Sequence, residues 1–187
     1  MTRLNSKTTP AKTVPKKKVW HNAIRSIFKS NGLISFSKNW SNPVLWSHYG
    51  EAHKGIALGF DVNTERLKPV VYSRVRSKLG DIDTLSRELQ FERIELATRT
   101  KYSHWSYESE ERVFVKLDEV YPDKNMYFYS FSPDIILKEV VLGSSFVGSA
   151  DVVRKLINPT DDVDIITTRL AFQSYKVVTQ NNPKFKK

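Results

Sequence analysis

Apolar residues in this chain come in short runs, some spaced for a helix and some alternating for a strand, and the two kinds follow one another in no fixed order. That mixed order is what most restricts the fold. Strict alternation of strand and helix would build a doubly wound parallel sheet, and a recurring period would build a solenoid; neither pattern is present. The expectation is an α+β fold: a single domain with a mostly antiparallel sheet and flanking helices. Length agrees, since 187 residues suffice for one core and are short for two.

The runs can be placed by periodicity and punctuation. Residues 19–28 have helical spacing, with Asn31 and Gly32 as a stop, and residues 33–37 alternate as a short strand. Ser41 and Asn42 stand where an N-cap is needed and Pro43 suits the first helical position, which predicts a helix over 43–49 ended by Gly50 or Gly55. Strands are predicted at 55–62 and 68–73. A longer helix follows, capped by Asp83 or Thr84 and carrying Leu85, Leu89, Phe91, Ile94, Leu96 and Ala97 at irregular spacing. Further strands are predicted at 111–117, 125–131 and 135–142. Ser149 then caps a helix stopped by Asn158 and Pro159, and residues 163–170 and 174–178 close the series as strands.

Composition excludes several classes of chemistry. The absence of cysteine removes disulfides, thiolate catalysis and cysteine zinc sites. No run approaches the roughly 18 apolar residues of a membrane span, and the N-terminus lacks the apolar core of a signal peptide, so the expectation is a cytoplasmic protein without a membrane partner.

The net charge of +10 belongs to the ends of the chain. Residues 1–18 hold Arg3, Lys7, Lys12, Lys16, Lys17 and Lys18, residues 176–187 hold Lys176, Lys184, Lys186 and Lys187, and neither stretch contains an acid. These ten account for the whole excess, because the other 20 basic residues are matched by the 20 acidic ones between. Both ends are poor in apolar residues, which predicts basic tails at 1–18 and 179–187 around a domain at 19–178. Such tails attract phosphate backbones through counterion release, and they also serve simply as solubilising segments.

Two clusters concentrate reactive side chains. Residues 42–60 (NPVLWSHYGEAHKGIALGF) contain Trp46, His48, Tyr49 and His53, and residues 105–112 (WSYESEER) add three carboxylates and an arginine. His48 and His53 are five apart, not the four that puts two ligands on one helical face, and no third ligand has metal-site spacing, so no metal is expected. His48 fits equally a ring that bonds a neighbouring carbonyl and steadies the helix. Read as an extended segment, residues 107–117 place Glu108, Glu110, Arg112, Phe114 and Lys116 on one side. Carboxylates two residues apart on a strand are roughly 6.5–7 Å apart, near enough to divide work between a substrate hydroxyl and a nucleophile. Arg112 can pair with Glu110 or hold a phosphate in bidentate fashion. An exposed charge ladder on a solvated strand face fits the same pattern.

The segment from Phe36 to Asp61, with F-S-x-x-W-S-N-P-V-L-W-S-H-Y-G-E-A-H-K-G-I-A-L-G-F-D, followed by Val71 and Tyr72, by Lys101 and by W-S-Y-E-S-E-E-R, resembles the bacterial family of unknown function numbered 2971. The stretch from Leu137 to Gly143 is also similar, and the resemblance covers residues 19–170. Members of that family begin with a longer N-terminal region that residues 1–18 do not match. The chain therefore reads as a short or truncated member; if the longer region completes the site, the chain would be inactive alone, would need a protein partner, or would use its basic tail for another purpose.

The family is in turn remotely similar to ADP-ribosyltransferase-like proteins. That resemblance implies a split, mostly antiparallel sheet, NAD as substrate and a glutamate on a late strand that stabilises charge as the glycosidic bond breaks. On this basis Glu110 is the catalytic carboxylate and Glu108 its assistant. Trp46, His48, Tyr49, His53, Tyr72, Lys101 and Arg112 line the pocket. The implied setting is a toxin or phage-defence effector. The residues alone leave a different class open, a non-catalytic nucleic-acid or protein-binding module that works through its basic tails and aromatic side chains. A nuclease or hydrolase built on His48 and Glu110 ranks lower for want of a metal-ligand set.

Overall fold

The computed structural model describes Asn22, Arg25 and residues 29–76, 84–119, 121–123, 126–131 and 133–186. Asn22 and Arg25 are helical; the rest of the predicted helix at 19–28 and the N-terminal tail lie outside the described residues. Two sheets carry the fold. Strand β1 (Asn31–Ser37), the two-residue β3 (Lys68–Pro69) and β6 (Glu110–Lys116) form one, antiparallel throughout, with β6 in the middle. The other has the order β11 (Val177–Thr179), β10 (Asp164–Leu170), β9 (Ile135–Leu142) and β2 (Ile56–Val62), and only its β9–β10 pair is parallel. Two small two-stranded ladders complete the strands among the described residues: β4 (Val71–Ser73) with β5 (Thr100–Tyr102), and β7 (Tyr121–Asp123) with β8 (Met126–Phe128). The α+β class with an antiparallel majority is thus the observed one.

Strand β9 explains the larger sheet. Its Val141 packs with Trp46 and Val177 on one face, while Val140 and Leu142 pack with Val163 on the other. A strand covered on both faces must be apolar at successive positions, as Ile135–Leu142 is at all but two. Helix α3 (Ala150–Arg154), capped by the Ser149 hydroxyl, makes the crossover that a parallel β9–β10 pair requires. A third core of Val113, Val115 and Ile135, with Ile34, Phe36, Phe60 and Val62, ties the two sheets together.

Helix α1 (Pro43–Tyr49) matches its prediction. The Asn42 side chain accepts from the Val44 N–H, Pro43 opens the first turn, and the Gly50 N–H donates to the Trp46 carbonyl. Glu51, Ala52 and His53 then follow in the left-handed region, with φ of 48°, 50° and 69°. Three consecutive non-glycine residues there cost roughly 1–2 kcal/mol each, so the surroundings must hold the turn. They do so through Gly143, whose N–H donates to the Gly55 carbonyl, and Ser145, whose N–H donates to that of His53. A side chain at Gly143 would collide with the His53 carbonyl oxygen.

Other boundaries differ from expectation for identifiable reasons. Helix α2 (Arg87–Thr98) is capped by Ser86 rather than by Asp83 or Thr84, and of its predicted apolar residues Ile94 is buried while Leu89, Phe91 and Leu96 are exposed. The predicted strand at 68–73 is two strands. The Val70 N–H donates to the Glu110 carbonyl and the Val71 N–H to that of Arg99, so the chain changes partners between them. Helix α3 ends at Arg154 and gives way to turns before Asn158, and the last strand starts at Val177 rather than 174. Among the described residues, no helix is long and apolar enough to cross a membrane.

Candidate active site

The predicted extended segment 107–117 is instead two structures. Residues Ser103–Glu108 form a 3₁₀ helix, Ser109 takes a left-handed conformation (φ 46°, ψ 48°), and β6 begins only at Glu110. Glu108 and Glu110 therefore come together through a turn and a kink, not through strand period. Nor are they an exposed ladder: both are buried, at 4% and 7% exposure.

Lys101, delivered by β5, bridges the pair. Its Nζ contacts Oε2 of Glu108 and lies 3.1 Å from Oε2 of Glu110. Arg112 Nε donates to Glu110 Oε1 at 2.7 Å, and its Nη1 donates to the Thr98 carbonyl. The Tyr49 hydroxyl donates to Glu108 Oε1 at 2.7 Å, and the Tyr72 hydroxyl accepts from the Glu110 N–H at 2.8 Å. The backbone is held as well. Ser37 Oγ donates to the Glu108 carbonyl at 2.6 Å, and Asn42 Nδ2 donates to the Tyr107 carbonyl at 3.1 Å. Asn42 thus caps α1 with one end of its amide and fastens the second motif with the other.

These contacts set the charge states. Burial pushes the Glu110 carboxyl up, but hydrogen bonds from Arg112, Ser35 and Lys101 and the guanidinium charge outweigh it and bring it down to about 2. Burial lowers the Lys101 ammonium, yet its bonds to the two carboxylates raise it overall. The Tyr49 phenol is raised by its bond to Glu108, then by burial and by that carboxylate's charge. At neutral pH the site holds Glu110 as an anion and Lys101 as a cation.

A cavity of about 920 Å³ lies between the sheets, walled by residues of β1, β2, β6 and β9. Of the residues singled out by sequence, Glu108, Glu110, Lys101, Arg112, Tyr49 and Trp46 line it. Tyr72 stands behind, on the Glu110 amide. Trp46 is a core residue, 3% exposed, with its indole N–H on the Trp40 carbonyl at 2.6 Å. His53 stacks on Trp46 at 6.3 Å between ring centroids, and its buried Nδ1 has no hydrogen-bond partner among the described residues. His48 is exposed, packs against Trp105 and Tyr107, and does not line the cavity. Lining residues that sequence reasoning had not singled out include Phe36, Trp40, Phe60 and the cations Lys38 and Lys138. The strand alternation of 33–37 marked Phe36 as a face residue but gave no sign that the face met a cavity. Among the described residues, no group of three or more His, Asp or Glu could hold a metal ion.

Compared with protein-family models, with curated proteins and with solved structures, the chain finds no match in any of the three.

Proposed function

We propose that this chain is an NAD-using enzyme of the ADP-ribosyltransferase-like kind, with Glu110 as its catalytic carboxylate. One observation carries the reading: Glu108 and Glu110 are buried, meet at a single ammonium group, and open onto a cavity of about 920 Å³ between two sheets. Pockets of that size enclose small-molecule ligands. The rings of Phe36, Trp40 and Phe60 suit the flat rings of a dinucleotide, and Lys38 and Lys138, paired in this structure with Glu111 and Asp162, would exchange those carboxylates for its diphosphate.

The chemistry follows from the charge states. The C1′–N bond to nicotinamide breaks, nicotinamide leaves with the bonding electron pair, and positive charge develops on the ribose. Glu110, ionised down to about pH 2, stabilises that charge and for the same reason is a poor proton donor. Water or an acceptor hydroxyl then bonds to C1′, and Glu108 takes its proton. Lys101 and Arg112 keep the carboxylates in register. A role as a toxin or phage-defence effector in the cytoplasm belongs to the same reading and rests on the motif resemblance.

Incubation of the purified chain with NAD, with nicotinamide followed by chromatography, tests the proposal. Glu110→Gln should lower the release rate by roughly 10²–10³, the usual effect of losing one electrostatic stabiliser. Release no faster than in buffer, or equal release by the folded variant, removes it.

A further inference from the structure

Beside the carboxylate cavity lies an aromatic surface joined to the carboxylate network at Tyr49 and, through the Trp105 ring, at Lys101. His48, at the C-terminal end of α1, sits 5.9 Å from the Trp105 ring, 6.3 Å from Tyr107 and 6.2 Å from Tyr49; Trp105 and Tyr107 are 5.9 Å apart. Tyr102, the last residue of β5, stacks at 4.5 Å on His104 of the 3₁₀ segment that carries Trp105 and Tyr107. These rings do not form a core. Tyr49 is 66% exposed and Tyr102 52%, both histidines are exposed, and Trp105 and Tyr107 are half-buried, with the Lys101 ammonium 5.0 Å from the Trp105 ring centroid. Ordering aromatic rings at the surface leaves apolar faces in water unless something flat covers them.

We propose that this shelf binds single-stranded nucleic acid. Stacking against rings is tolerant of base identity, because every base has a π-face, and it requires bases that are not already paired. Charge complementarity points to the same occupant. The chain carries +10, with the excess in its terminal stretches. One of those stretches begins beside the shelf: the Val177 N–H donates to the Ser41 carbonyl at 2.8 Å, next to the Asn42 cap of α1. Helix α1 has seven residues, so His48 is only about 10 Å further along at 1.5 Å per residue. Lys176 directly precedes Val177, and Lys184 follows it seven residues on in the same terminal stretch. The Tyr49 hydroxyl touches Glu108, which puts the shelf at the rim of the cavity.

The test needs no NAD, so its failure is separate from failure of the enzymatic reading. Binding of fluorescently labelled oligo(dT) and oligo(U), about 12 nucleotides long, is followed by anisotropy at salt concentrations from about 50 to 200 mM. The whole chain should bind both, bind a duplex of equal length at least about tenfold more weakly, and lose affinity as salt rises. Trp105→Ala should weaken single-strand binding by at least about tenfold with the salt slope unchanged, since stacking and phosphate contacts are separate contributions. Should that variant fail to fold by circular dichroism, quenching of Trp105 emission, taken as parent minus Trp105→Phe, reads the same contact. No binding at the lowest salt, equal affinity for duplex, a folded Trp105→Ala that binds like the parent, or no Trp105 quenching at saturation would overturn the proposal.

Discussion

The two walls of the cavity are built on opposite principles. On the β6 side, Lys101, Glu108, Glu110 and Arg112 form a charge-balanced network fastened by Tyr49 and Tyr72. On the side of α1 and β9, Trp46 is wedged against Val141 and Val177, and the chain leaves it through three residues in the left-handed region. The first wall is directional: each member has assigned partners, and removing one strands another. The second is held by volume, and its cost is stored in the backbone. One wall is therefore sensitive to charge and pH, the other to side-chain size and backbone freedom.

Lys101→Met gives the largest effect that separates them. Methionine keeps the length of the side chain but leaves two buried carboxylates with one cation between them. Breaking a buried ionic group by removing one partner costs about 3–5 kcal/mol. Urea unfolding should show that loss, and adding Glu108→Gln should recover much of it, because the stranded charge is then gone. A Lys101→Met chain within about 1 kcal/mol of the parent would mean that the network does not hold its wall.

Acid should act on the same wall somewhat more weakly. Glu110 is depressed from 4.5 to about 2, so its stabilising contribution is complete above pH 4.5 and is lost as pH falls towards 2. At 1.36 kcal/mol per unit that contribution is of order 3 kcal/mol. Stability of the parent measured by urea at intervals from pH 6 to 2 should fall through that window by about this much more than stability of Glu110→Gln. Parallel curves for the two chains would show that Arg112 and Lys101 do not hold the carboxyl down.

What could be read from the sequence divides along the same line. Helix α1 was legible because its signals are local: Asn42 caps, Pro43 starts and Gly50 ends it. Strand β9 was legible because burial on both faces writes a continuous apolar run. Of the candidate site, the residue types could be named from sequence, and six of the nine named residues line the cavity. How they meet was hidden. Ser109 adopts the left-handed conformation without glycine or asparagine to announce it, and without that kink Glu108 reads as a strand residue. The bridge made by Lys101 depends on the β4–β5 pairing, which exists only because the chain changes partners at Val70. Contacts between distant segments leave no periodic trace.

The smallest effect tests the second wall at its backbone. Ala52 is exposed and has φ of 50°, so its side chain contributes little to packing while its Cβ opposes the left-handed turn. Glycine has no such penalty, but it loses more chain entropy on folding, about 0.5–1 kcal/mol. Against a strain of about 1–2 kcal/mol, Ala52→Gly should stabilise the chain by about 0.5–1 kcal/mol, seen as a higher urea midpoint with an unchanged slope. The sign matters more than the size. A loss of stability would mean that the turn is not strained, because Gly143 and Ser145 have fitted it without cost. The second wall would then be held by the packing of Trp46 alone, and the contrast with the charged wall would be one of side chains, with no part played by the backbone.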